Sequence, residues 1–316
     1  VALAVPRIKD WRARQFAAQS ETLLAGGKMQ EAFNNASSAV QMRPGLPEAR
    51  RAYAAVLVAA NKAEGVSVWQ QLIDDGKATA DDRLQLAEAA LQFGDVTLAE
   101  REAFHLLQQG ERTPDALFVL ARVRLGQQRG ADAVQALQEC LEAGGSGAPA
   151  ILLARLQFAA STPEATNAAL DLLRPLARQP DQDGLNALLT LLASPALQSA
   201  EGPAWVEALR AHPLASDEQK LAAASAEIQI DPKLYAAVVT KTVAQYRDGS
   251  IEQRAQLARW LNQNREYDAV LDVISADEAA TRSDLFLIRL DAMAGRSDWK
   301  GIADLLRGES LPLQTP

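Results

Sequence analysis

Small residues recur in this chain at the interval of one helical hairpin, and that interval limits the fold more than any other feature. Ala99 and Ala133 lie 34 residues apart, and Ala32 precedes Ala99 by 67, one short of two such intervals. Each alanine follows a pattern that closes one helix and opens another. The three copies are Leu24-Ala25-Gly26-Gly27-Lys28-Met29-Gln30-Glu31-Ala32, Gln92-Phe93-Gly94-Asp95-Val96-Thr97-Leu98-Ala99 and Leu125-Gly126-Gln127-Gln128-Arg129-Gly130-Ala131-Asp132-Ala133. Glycine beyond a helix end takes the left-handed backbone that satisfies the last carbonyls, and a polar residue opens the next helix. Self-similarity at about 20 to 50 residues means stacked units rather than one closed core.

Composition agrees with helix packed on helix. Of 316 residues 48% are hydrophobic, enough for a substantial core, yet only 5% are aromatic. Packing must then rest on aliphatic and small side chains brought close together. Nothing reads as a strand, and roughly nine helical pairs fit along the chain.

Around the alanines the sequence resembles the tetratricopeptide-repeat family. Its members carry small residues where the two helices of a hairpin cross, an alanine early in the second helix and often a proline after it. Ala32, Ala36, Ala39 and Pro44 fit the second helix of a first repeat, with Phe16, Ser20 and Leu23 in its first helix. Ala87, Ala90, Ala99, Ala103 and Pro114 fit a third repeat, and Leu117, Ala121, Ala133, Leu137 and Cys140 a fourth. The chain departs from the pattern where Arg50 and Arg83 replace a large aromatic, and where the early alanine of the second repeat becomes Val66. The resemblance implies an all-α, right-handed superhelical solenoid of antiparallel helix pairs, clearest over residues 13–147. Residues 1–12 form an N-terminal segment, 148–215 degenerate helical repeats, and 216–316 C-terminal helical hairpins. A break in stacking is expected between Leu192 and Ala204, where Pro195 and Pro203 interrupt. Ser216, Ser250 and the pair Asp231-Pro232 read as helix starts.

Catalytic chemistry finds little support. The formal charge of -8 argues against nucleic-acid binding, which needs a clustered basic surface. A single cysteine, Cys140, excludes an internal disulfide and a cysteine-based zinc cluster, and its apolar row with Leu137 and Leu141 reads as a buried, inert thiol. His105 and His212 are too far apart in sequence for a histidine motif, and the zincin, phosphate-loop and nucleophile-elbow patterns are missing. Asp81 and Asp82 read as capping and solvating residues. No enzyme activity and no cofactor are expected. At the start, Val1-Ala2-Leu3-Ala4-Val5-Pro6 leads into Arg7, Lys9, Arg12 and Arg14 around Trp11, the pattern found where a membrane helix meets headgroups. Two expectations follow: attachment to a bacterial membrane through a segment before Val1, or an ordinary amphipathic helix of a cytoplasmic protein.

The family resemblance also implies a partner-binding wall along the first helices of the hairpins. The matching positions are Arg14, Ala17 and Glu21, then Arg51, Ala55 and Val58, then Leu84, Glu88 and Leu91, then Phe118, Arg122 and Leu125, and lastly Leu152 and Leu156. Among them Arg51, Leu84, Glu88, Leu91, Phe118, Arg122, Leu125 and Leu152 are the expected partner-binding residues. Arginines flanking an apolar strip suit an amphipathic helix or extended peptide with acidic flanks; the plain alternative is that the apolar ones are core and the arginines solvated. Ala17, Glu21 and Ala52 stand where some family members clamp a terminal carboxylate, so that mode is not expected. The leading reading is a non-enzymatic scaffold or adaptor holding a protein or peptide. The alternatives are a self-assembling structural subunit and a helical module of an enzyme whose catalytic part lies outside this chain.

Overall fold

The structure, a computed structural model, describes residues 4–307 except 111. Nineteen α-helices and two short 3-10 turns make up its regular structure, with no strand among the described residues. The chain is thus an all-α array of paired helices. Two compact units divide between Leu156 and Gln157.

The first unit contains four hairpins: α1 (Ala4–Ala25) with α2 (Met29–Met42), α3 (Pro47–Ala59) with α4 (Glu64–Asp74), α5 (Ala80–Gln92) with α6 (Val96–Gln108), and α7 (Pro114–Gly126) with α8 (Gly130–Glu142). Helix α9 (Ala148–Ala160) follows and carries the division between the units. In the second unit come α10 (Pro163–Leu176), α11 (Gln182–Leu192), α12 (Gly202–Ala211), α13 (Asp217–Ile230), α14 (Tyr235–Tyr246), α15 (Ile251–Gln263), α16 (Tyr267–Val273), the single turn α17 (Ala276–Ala279), α18 (Ser283–Gly295) and α19 (Trp299–Leu306). Helix α1 runs unbroken across residues 12 and 13, so the described part of the N-terminal segment is its opening turns. Residues 1–3 lie outside the described residues. Among the described residues no helix is long and apolar enough to cross a membrane.

The repeat is written into the backbone as well as the side chains. Left-handed residues close the first helices at Gly27, Asn61, Gly94 and Gln128, and close the second helices at Gly76, Gly110 and Gly144. Glycine is the residue that takes this conformation without strain. In the fourth hairpin the left-handed position is Gln128 (φ 61°), not Gly126 or Gly130.

At the crossings the expected alanines Ala32, Ala99 and Ala133 are fully buried, as are Ala36, Ala39 and Ala103. The second hairpin corrects the sequence reading. Gly65, not Val66, occupies the early crossing position, because the hairpin is one residue shorter at that point. Gly65 is buried and lies so close to α3 that an added Cβ would stand 2.7 Å from Val58 Cγ2 and 2.9 Å from the Ala54 carbonyl oxygen. The two arginines that replace aromatics also have structural work. Arg50 donates to the Pro44 carbonyl (2.6 Å) and pairs with Asp75 (2.6 Å), and Arg83 pairs with the buried Glu102 at 2.6 Å.

In the second unit Ser216 with Gln219 and Ser250 with Gln253 form capping boxes at the expected helix starts. Asp231 caps a 3-10 turn, Pro232–Leu234, before α14 begins. The connection from α11 to α12, expected to interrupt stacking, is a packed 3-10 turn (Pro195–Gln198) with Ala196 and Leu197 buried. His212 is buried. Its Nε2–H donates to the Gln179 carbonyl (3.1 Å) and its Nδ1 accepts from the Leu214 N–H (3.3 Å), so the ring ties the α10–α11 connection to the end of α12.

Overpacking the crossings tests this arrangement. Gly65→Leu and Ala133→Leu should each cost about 1–3 kcal/mol, read as a lowered denaturant midpoint, while an exposed control such as Ala131→Leu should leave the midpoint unchanged.

Candidate partner-binding groove

The first helices of successive hairpins turn one face to their own second helices and another to an open groove. In the first unit α1, α3, α5 and α7 line a groove of about 490 Å³. Its floor is made of small side chains, Ala55, Ala59 and Ala89, with Val58 and the buried indole of Trp69. Gln85, Glu88 and Gln92 descend along α5 at helical spacing, and Arg122 reaches in from α7. Gln92 is fixed by its amide, which donates to the Val58 carbonyl at 3.1 Å and to Asn61 Oδ1 at 3.3 Å.

All eight residues expected to meet a partner are half-buried, and they fall into four groups. Glu88 and Arg122 line the groove itself. Leu84 and Leu91 pack against the core of the third hairpin, and Phe118 lies beneath Arg122, whose guanidinium carbon is 5.8 Å from the ring centroid. Leu125 and Leu152 keep partial exposure on α7 and α9. Arg51 is committed elsewhere. Its Nε and one terminal nitrogen grip both oxygens of Asp82 at 2.7 and 2.8 Å. Asp82, expected to be a solvated cap, is 1% exposed. It does cap α5, accepting from the Thr79 N–H at 2.7 Å, and it also ties α5 to α3. Burial alone would push its carboxyl up, but the Arg51 guanidinium and the Thr79 hydrogen bonds outweigh burial and hold it below the ordinary aspartate range.

Glu88 is the opposite case. It forms no ion pair or hydrogen bond among the described residues. Burial pushes its carboxyl up, Arg122 opposes that without reversing it, and Asp115 and Asp81 add to the rise. Arg122 likewise forms no ion pair among the described residues. One acid and one base therefore face the same groove without a bonded partner.

A second groove, also of about 490 Å³, runs along α11, α13 and α15 in the second unit. Leu192, Leu221 and Trp260 form its apolar part, and Glu218, Gln229, Gln256 and Arg259 its polar part. The Trp260 indole N–H is held by Ser225 Oγ at 2.8 Å, and Arg259 meets Asp284 at 3.4 Å. Gln256 Oε1 is buried without a hydrogen-bond donor. Sequence reasoning missed this groove, although Glu218, Ser225 and Gln229 on α13, and Gln256, Arg259 and Gln263 on α15, repeat with helical spacing.

Nothing in either groove has the form of a metal or nucleophile site. Among the described residues no cluster of three or more histidine, cysteine, aspartate or glutamate side chains could hold a metal. The Cys140 thiol is fully buried against the Pro114 carbonyl at 3.2 Å, and burial raises its pKa.

No protein-family model and no curated protein matches the chain. Among solved structures, the crystal structure of the APC/C hetero-tetramer Cut9-Hcn1 is similar at 13% identity and a TM-score of 0.45, over 92% of this chain. The chain spans 55% of that chain's length, and a similarity at this level assigns no functional residue.

The Arg51–Asp82 pair carries its own test. Asp82→Ala removes the acceptor of a buried ion pair and a helix cap, and should destabilise the chain by about 2–3 kcal/mol. Because the folded carboxyl titrates below the unfolded one, this contribution is complete above the ordinary aspartate pKa and is lost as pH falls through the folded value. The gap between the denaturation midpoints of the parent and Asp82→Ala should therefore narrow on acidification.

Proposed function

We propose that this chain is a non-enzymatic scaffold of tetratricopeptide type that holds a protein segment in the groove of its first unit. The observation carrying this reading is the pair of unpartnered charges over an apolar floor. Arg14, Arg50, Arg51, Arg83 and Arg124 are each held by a carboxylate of the same unit, whereas Arg122 rests on Phe118 with no carboxylate bonded to it. Glu88 stays half-buried and unpaired beside small side chains. A bound segment that places an aliphatic side chain over Ala55, Ala59 and Ala89, a carboxylate at Arg122 and a basic group at Glu88 would complete both charges. Complementary charge at a groove gives register and discrimination more than raw affinity. With Arg51 committed to Asp82, the acidic flank expected of the partner narrows to the Arg122 end.

The stability of the chain offers a readout that needs no partner. A carboxyl with a raised pKa in the folded state contributes stability that is present below the unfolded pKa and lost as pH rises through the folded value. Ionised Glu88 is then a cost at neutral pH. Glu88→Gln should raise the thermal midpoint there, with the gain vanishing in acid.

Binding is tested by affinity capture from cell lysate followed by mass spectrometry, comparing the parent chain with Glu88→Gln and Arg122→Glu. Partners held in the groove should be lost from Arg122→Glu by roughly ten-fold or more, with helical content unchanged. If both variants retain every partner at the parent level, the groove is not the binding surface. Arg51→Glu is unsuitable for this purpose, because it disrupts the clamp on Asp82.

A second reading, self-assembly through the last hairpin, draws on the exposure of Leu287, Trp299 and Leu306 on α18 and α19. A concentration-independent monomer in sedimentation would overturn it.

A further inference from the structure

We infer that the outward face of the first turns of α1 is a docking surface for anionic lipid headgroups. This inference is independent of the groove. On a helix, residues three, four and seven apart share a face. Ala13, Ala17 and Ser20 turn inward and are buried, while Ile8, Trp11, Arg12, Gln15, Gln19 and Thr22 turn outward. Two large apolar side chains stand on that outer face in water, Ile8 at 56% exposure and Trp11 at 61%.

The charges around them have one sign. Lys9 and Arg12 are exposed and form no ion pair among the described residues. The neighbouring acid, Asp10, is engaged by Arg43, and Arg14 is engaged by Glu48. Arg12 thus stands unneutralised on the face of Ile8, and Lys9, exposed in the row of Ala13 and Ala17, adds a second unpaired cation at the same end of the helix, on a chain whose formal charge is -8. On a chain of net negative charge, a local patch of exposed cations beside apolar and aromatic side chains is complementary to an anionic surface at that patch. Tryptophan and long basic side chains are the residues that settle at headgroup level, with the ring partly immersed and the cations reaching the phosphates.

The length of the apolar stretch argues against a stacked hairpin or a second copy on this face. A neighbouring helix pair would require an apolar stripe along the whole of α1. Past Trp11 the outward residues are Arg12, Gln15, Ala18, Gln19 and Thr22, all exposed and none with a large apolar side chain. Among the described side chains of α1, the exposed large apolar ones are Ile8 and Trp11.

The test is co-sedimentation of the full chain with phosphatidylcholine vesicles and with vesicles of phosphatidylcholine mixed with phosphatidylglycerol. The chain should pellet with the anionic vesicles and stay in solution with the neutral ones. Lys9→Gln and Arg12→Gln should each weaken the association roughly five-fold, and Trp11→Ser should abolish it, with thermal midpoints unchanged because these side chains are exposed. Arg122→Glu should pellet like the parent, which separates this surface from the groove. Absence from the anionic vesicles, equal association with both kinds, or an association that the three substitutions at Lys9, Trp11 and Arg12 leave intact would each overturn the inference; the first would leave an acidic protein as the class of partner for this face.

Discussion

The close approach of two helices at a methyl group, or at no side chain at all, is the contact on which the rest of this structure depends. Ala32, Gly65, Ala99 and Ala133 occupy the same place in four successive hairpins of the first unit. Side chains this small let helix axes come within about 8–10 Å. The core can then be built from alanine, leucine and valine, with few rings. Where a ring does enter, as Trp69 does among Leu72, Leu86 and Ala89, it fills the space between one hairpin and the next. A hairpin alone would leave that second contact surface in water, so the units are stable only as stacks.

Stacking decides which polar groups are free to do anything else. Many of the longer-range hydrogen bonds join residues about one repeat apart: Arg14 to Glu48, Gln92 to the Val58 carbonyl, His212 to the Gln179 carbonyl, and Trp260 to Ser225. Each satisfies a polar group that stacking would otherwise leave half-desolvated. Arginine is suited to this because its planar fork meets a carboxylate with two parallel bonds, as Arg51 does with Asp82. An arginine outside this pattern, such as Arg122, is then informative in a way that an average surface arginine is not.

Much of the fold was readable from the residues because crossing alanines leave a periodic trace, and because serine followed three residues later by glutamine marks a helix start at Ser216 and Ser250. The misreadings share one cause. Where geometry is set by residues distant in sequence, local pattern fails. Val66 stood one place from the true crossing at Gly65 because the preceding connection is one residue shorter. Gln128 accepts a left-handed backbone that pattern assigns to glycine. Of the groove, the wall of first helices and the positions of Glu88 and Arg122 followed from the family resemblance. The difference between Arg51 and Arg122 did not, since Asp82 lies 31 residues from Arg51 and its burial is invisible without the stack. The second groove escaped notice because its apolar residues, Leu192, Leu221 and Trp260, come from α11, α13 and α15, where the repeat interval is less regular than in the first unit.

A half-buried carboxylate with no partner is difficult to explain as packing. Burial disfavours its charge, and Arg122 is near enough to moderate that cost without cancelling it. Glutamine would fit the same volume without the charge, as Gln85 and Gln92 do one turn to either side on the same helix. Perturbed ionisable groups of this kind gather where a protein does something other than fold. The same unit neutralises Asp82 and Glu102, more deeply buried than Glu88, with well-placed arginines. The chain pairs those acids and leaves Glu88 open in the groove, and that contrast is what supports the proposal that a bound segment meets its charge there.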